Sequence, residues 1–123
     1  DGPLKKDLEN QIRKNGLCRY VQLKGHVCNV SDFLKNIDIY VQPSLYEGMC
    51  IAVHEAFEVG LPVIATSVGQ LKDCVVTGKT GFIVSKTTAE KDIAAALEKF
   101  VCRPELLREY GQAGRTHVLS HYG

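Results

Sequence analysis

Between Pro43 and Thr66 the chain passes through a loop, a helical stretch, a turn and a short apolar run, and this order constrains its fold more than any other feature. Ile51, Ala52, Ala56, Phe57 and Val59 recur at helical spacing and predict a helix with one buried face. Gly60 and Pro62 end it, glycine by permitting a left-handed cap and proline by withholding an N–H. Pro62 to Ala65 then reads as a strand apolar on both faces, as does Ile37 to Val41, which Gln42-Pro43-Ser44 terminates. A third run, Phe82 to Val84, follows a turn over Thr77 to Gly81. Short two-faced strands alternating with helices are the pattern of an α/β domain with a parallel sheet.

The flanking segments extend that pattern. Leu4, Leu8 and Ile12 are spaced by four in a charged background and predict a first helix, closed by Asn15-Gly16. Tyr20 to Leu23 alternates as a strand and stops at Gly25. Ser31 and Asp32 begin a short helix through Phe33 and Leu34. Ile93, Ala94, Leu97 and Phe100 mark an amphipathic helix over Thr88 to Phe100. A last helix starts at Pro104, with Gly111 and Gly114 weakening its middle. The Gly-Lys-Thr of residues 78–80 is no phosphate-binding P-loop, because that loop needs a glycine where Asp73 stands and a helix where a strand follows.

Composition narrows the function classes. A length of 123 residues is one domain, and a net charge of +1 with no basic cluster argues against a nucleic-acid surface. No apolar run is long enough for a membrane span or a signal peptide, which suits a cytoplasmic protein. The five cysteines, Cys18, Cys28, Cys50, Cys74 and Cys102, are odd in number and form no C-x-x-C pair, which argues against a disulfide framework and a zinc site and for a reducing compartment.

The chemistry gathers at the start of the central helix. Glu47 lies in the loop before it, followed by Gly48, where the backbone can approach a ligand closely. With the helix beginning near Met49 or Cys50, its free N–H groups and positive dipole end point into the space beside Glu47, a setting for phosphate. Glu55 stands about 7.5 Å further along the axis at ~1.5 Å per residue. An ionised carboxylate accepts two hydrogen bonds together and so suits a vicinal diol. Hydroxyls at both ends with phosphates between is the layout of a sugar nucleotide. Glu58 reads as a solvated neighbour, and Lys72 as a surface lysine.

The run PSLYEGMCIAVHEAFEVGLPVIATSVGQLKDCVVTGKTGFIV resembles the nucleotide-sugar-binding signature of glycosyltransferase family 4, the group 1 glycosyltransferases. Their retaining enzymes have the GT-B fold of two Rossmann-like halves. The glutamate pair with its flanking PS, EG, EA and G-x-PVIAT residues is the most specific part, and the resemblance extends over most of the chain. It implies a Rossmann-like three-layer α/β/α domain with a parallel sheet, over residues 1–123, as a partial carboxyl-terminal half of a GT-B fold. The amino-terminal acceptor half, the first strand and the final helix would lie outside it.

The same resemblance implies the chemistry. The parent would transfer a hexose from a nucleotide diphosphate sugar to a glycan or lipid-linked acceptor with retention and without an essential metal or resident cofactor. A membrane-linked acceptor would put it at the cytoplasmic face of a membrane, and the piece alone would have little or no activity. Glu47 would be the catalytic residue, holding the donor sugar with the backbone of Gly48, Met49, Cys50 and Ile51, while Glu55 would hold the ribose. His26 and Val27 fall in the loop that meets the base in the family, and Gly69 in the loop beside the diphosphate. That last loop commonly reads Gly-Gly with Glu following two residues later, whereas here it reads Gly69, Gln70, Leu71, Lys72, Asp73. Two other readings remain at this stage: a nucleotide-sugar epimerase sharing the architecture, and a non-catalytic nucleotide- or partner-binding module.

Overall fold

The computed structural model describes residues 4–25, 27–44 and 50–121, in two compact units, residues 1–30 and 31–123. The first unit carries helix α1 (Lys5–Lys14), closed by Asn15, whose N–H groups bond back into the last turn. Its apolar residues stay at the surface: no residue of α1 is buried, and Leu4 and Leu8 are exposed. The expected strand at Tyr20 to Leu23 is absent. The N–H groups of Tyr20 and Val21 both donate to the Leu17 carbonyl at 2.9 Å, so the run starts as a turn, and Tyr20 is 78% exposed. Alternation describes which way side chains point; a strand also needs a neighbouring ladder.

The second unit holds the sheet. After α2 (Val30–Leu34), which spans the boundary between the units, come β1 (Tyr40–Gln42), α3 (Ile51–Glu58), β2 (Val63–Thr66), α4 (Leu71–Cys74), β3 (Gly81–Val84), α5 (Ala89–Cys102) and α6 (Glu105–His121). The three strands are parallel in the order β1-β2-β3, with Tyr40 opposite Val63 and Val63 opposite Gly81. All four residues of β2 are buried, as expected of a central strand covered on both faces.

Two apolar clusters form the layers. Val53, Ala56 and Phe57 of α3 pack with Val63, Ala65, Leu71 and Val118. On the other face Ile64, Phe82 and Val84 meet Ala96 and Phe100 of α5 and Leu106 of α6. Alternate residues of β2 thus serve opposite layers, and the three-layer α/β/α architecture expected from the sequence is present. The buried stripe of α3 is shifted from the expected one: Val53 is buried, while Ile51 is exposed at the first turn.

Helix α6 continues through both glycines, and its packing explains them. A Cβ on Gly111 would overlap the carbonyl oxygen of Gly60, and one on Gly114 would overlap the Phe57 ring. The glycines allow α6 to lie directly on the end of α3. The same helix meets one cluster through Leu106 and Tyr110 and the other through Val118.

Candidate active site

The parallel register brings the carboxyl ends of β1 and β2 side by side, and the loops after them open on the same edge. Open α/β sheets place their ligands along this edge. Thr66, the last residue of β2, is fully buried and donates its hydroxyl to the Ser44 carbonyl at 2.6 Å. That bond fixes the loop leaving β1 to the end of β2, and Gln42 adds a 3.0 Å bond from its amide to the Ser44 hydroxyl. The Tyr40 hydroxyl donates in turn to the Gln42 side-chain oxygen. Threonine suits this role because a buried hydroxyl must find a partner, and a backbone carbonyl from the adjacent loop supplies it.

Glu55 lies half-buried on α3 beside this network. Burial holds the Tyr40 phenol above its ordinary value of 10.0, and the Glu55 carboxylate raises it further. The carboxylate therefore sits within electrostatic reach of the strand that leads to the site. Glu58, one turn on, is exposed and solvated, as the sequence implies.

Helix α3 begins after Cys50, whose carbonyl accepts the first helical bond from His54 N–H at 2.8 Å and whose side chain does not cap it. The N–H groups of the first turn, from Ile51 onward, precede that bond and have no acceptor within the helix. Gly69 follows β2 with a φ of +47°, a left-handed conformation that glycine adopts without cost. Gln70 has ordinary helical angles, φ −76° and ψ −17°, so glutamine requires no strain where the family commonly has a second glycine. Lys72 is exposed.

Of the residues expected at the site, Cys50, Ile51, Glu55 and Gly69 belong to the second unit; Val27 belongs to the first and is half-buried there. Glu47, Gly48, Met49 and His26 lie outside the described residues. The Gly-Lys-Thr of residues 78–80 falls in the turn before β3, where Thr80 Oγ1 accepts from Val76 N–H at 2.9 Å. It is a turn, not a P-loop.

Sequence reasoning missed Cys74, His54, Thr66 and Tyr40. Cys50 and Cys74 are joined by a disulfide across 24 residues, contrary to the expectation of unpaired cysteines. The pair has no spacing signature; only the return of the chain through β2 sets α4 beside the start of α3. Cys18, Cys28 and Cys102 are free and exposed.

A parallel sheet between two helical layers is a Rossmann-like α/β/α architecture. Residues 1–117 match the family described as "Glycosyl transferases group 1", and the chain belongs to that family. It is 30% identical over 102 residues to the lipopolysaccharide core biosynthesis mannosyltransferase LpsB of Rhizobium meliloti, covering 81% of this chain and 29% of that protein. It is 38% identical over 98 residues to the capsular polysaccharide biosynthesis glycosyltransferase CapM of Staphylococcus aureus, covering 80% of this chain and 26% of that protein. The solved sucrose-phosphate synthase of Thermosynechococcus elongatus superimposes with a TM-score of 0.90 at 27% identity, covering 99% of this chain and 31% of that one. The chain spans a third or less of the length of the curated relatives it matches. Among the described residues, no helix is long and apolar enough to cross a membrane.

Proposed function

We propose that this chain is the donor-binding part of a retaining glycosyltransferase that moves a hexose from a nucleotide diphosphate sugar to a glycan or lipid-linked acceptor supplied through the rest of the protein. The observation that carries this reading is the placement of Glu55: half-buried, on the helix after β1, next to the strand whose loop Thr66 holds. Its carboxylate accepts the two hydroxyls of the ribose. The N–H groups at the start of α3, which have no acceptor within the helix, face the developing charge of the departing diphosphate, where fixed dipoles stabilise without reorganising. Glu47 meets the donor sugar, and Gly69 lets the following loop pass close to the phosphates. The transfer needs no metal, because these fixed dipoles offset the charge. The names of the two curated relatives, one in lipopolysaccharide and one in capsule biosynthesis, support a surface-polysaccharide or glycolipid product.

The test is a turnover assay on the whole protein with UDP-, GDP- and ADP-hexoses and glycan or lipid-linked acceptors. It reads nucleoside diphosphate release and, by NMR, the anomeric configuration of the product. Retention is expected, with Glu55→Gln lowering kcat/KM about 10–100-fold, the equivalent of one charge-assisted hydrogen-bond pair. An inverted product, or turnover indifferent to Glu55→Gln, contradicts the proposal.

A further inference from the structure

We propose that Cys50, His54 and Cys74, in the dithiol form of the protein, are the ligands of a site for a thiophilic divalent cation such as zinc. Cys50 immediately precedes α3, His54 is four residues later on the same face of that helix, and Cys74 is the last residue of α4. Their two sulfurs and an imidazole nitrogen all lie within 4.8 Å of one another. With zinc–sulfur bonds of about 2.3 Å and zinc–nitrogen bonds of about 2.0 Å, the ligand atoms of a tetrahedral site stand roughly 3.5–3.8 Å apart. The three groups therefore reach that arrangement through side-chain adjustments, with the 6.8 Å Cα–Cα separation of the cysteines unchanged. Two thiolates and an imidazole select a soft or borderline cation over magnesium or calcium. Cys50 is buried, and His54 and Cys74 are half-buried, so the site is sheltered yet reachable. A water completes the coordination.

The disulfide and the cation exclude each other. A phosphine or dithiol reductant supplies two electrons, and two protons from solvent complete the two thiols. The phosphine ends as its oxide with an oxygen from water, the dithiol as its own disulfide. The cation then displaces both thiol protons, so affinity falls as pH falls. The site joins α3 to α4 whether bridged by sulfur or by metal, and it does not depend on the sugar-transfer reading.

The experiment titrates zinc, against a chromophoric chelator, into the full chain carrying Cys18→Ser, Cys28→Ser and Cys102→Ser, which removes the three exposed thiols. The reduced chain is expected to take one equivalent and the oxidised chain none. His54→Ala and Cys74→Ser should each weaken binding more than about tenfold, the least that disturbing a zinc site costs. Cobalt added to the reduced chain should give the thiolate charge-transfer band and tetrahedral ligand-field bands, a readout that needs no variant at the site to fold. Equal zinc uptake by reduced and oxidised chains, unchanged affinity in folded His54→Ala and Cys74→Ser variants, or a cobalt spectrum without thiolate bands overturns the proposal.

Discussion

Tyr40 and Thr66 show how single residues set up the site. Neither is a ligand group in the sequence pattern, yet Thr66 ties the loop after β1 to the end of β2, and Tyr40 continues the same network through Gln42. The glutamates stood out in the sequence because a carboxylate near a helix start and a glycine-bearing loop is a chemical pattern along the chain, and their role is the reading proposed above. The supporting hydroxyls did not stand out, because their partners come from another strand. Tyr40 also makes a pH prediction. Its phenol is held above 10.0 in the folded protein, first by burial and then by Glu55, so the neutral form favours folding. That contribution is complete below pH 10 and is lost as pH rises through the higher folded value. Denaturant titrations between pH 9 and 12 should show stability falling along this limb. Tyr40→Phe should flatten it, and an unchanged slope in the variant would refute the assignment.

Helix α3 was read correctly in place because its helical spacing and its Gly60-x-Pro62 stop are local signals, while its buried face was not, since Val53 rather than Ile51 turns inward. Helix α6 was read with a weakness it does not have. Propensity ranks Gly111 and Gly114 as costly, since it counts only local conformational freedom. The packing of α6 on α3 reverses the sign: a Cβ at Gly111 meets the Gly60 carbonyl oxygen, a backbone atom that cannot swing aside. Gly111→Ala gains about 1 kcal/mol of helix propensity and loses about 1–3 kcal/mol or more to overpacking. We expect net destabilisation of up to about 2 kcal/mol, read as a lowered denaturation midpoint. A stabilised variant would mean that α6 packs elsewhere. The Tyr20 to Leu23 run failed as a strand for a related reason, since strand identity belongs to a pair and its first N–H groups turn back to Leu17.

At the scale of the molecule, the parallel order β1-β2-β3 puts the carboxyl ends of its strands on one edge. The architecture was readable because two-faced apolar runs alternating with helices admit few alternatives. The Cys50–Cys74 juxtaposition was not, because two cysteines separated by 24 residues meet only after the sheet has formed. The central claim is that this edge binds a nucleotide diphosphate sugar through Glu55. Calorimetric titration of the whole protein with UDP, GDP and ADP sugars, beside Glu55→Ala, tests it most directly. The account predicts selective binding of one nucleotide, weakened about 10–100-fold in the variant, as the loss of one charge-assisted pair implies. Binding of equal strength in both proteins, or none by the intact one, would contradict it.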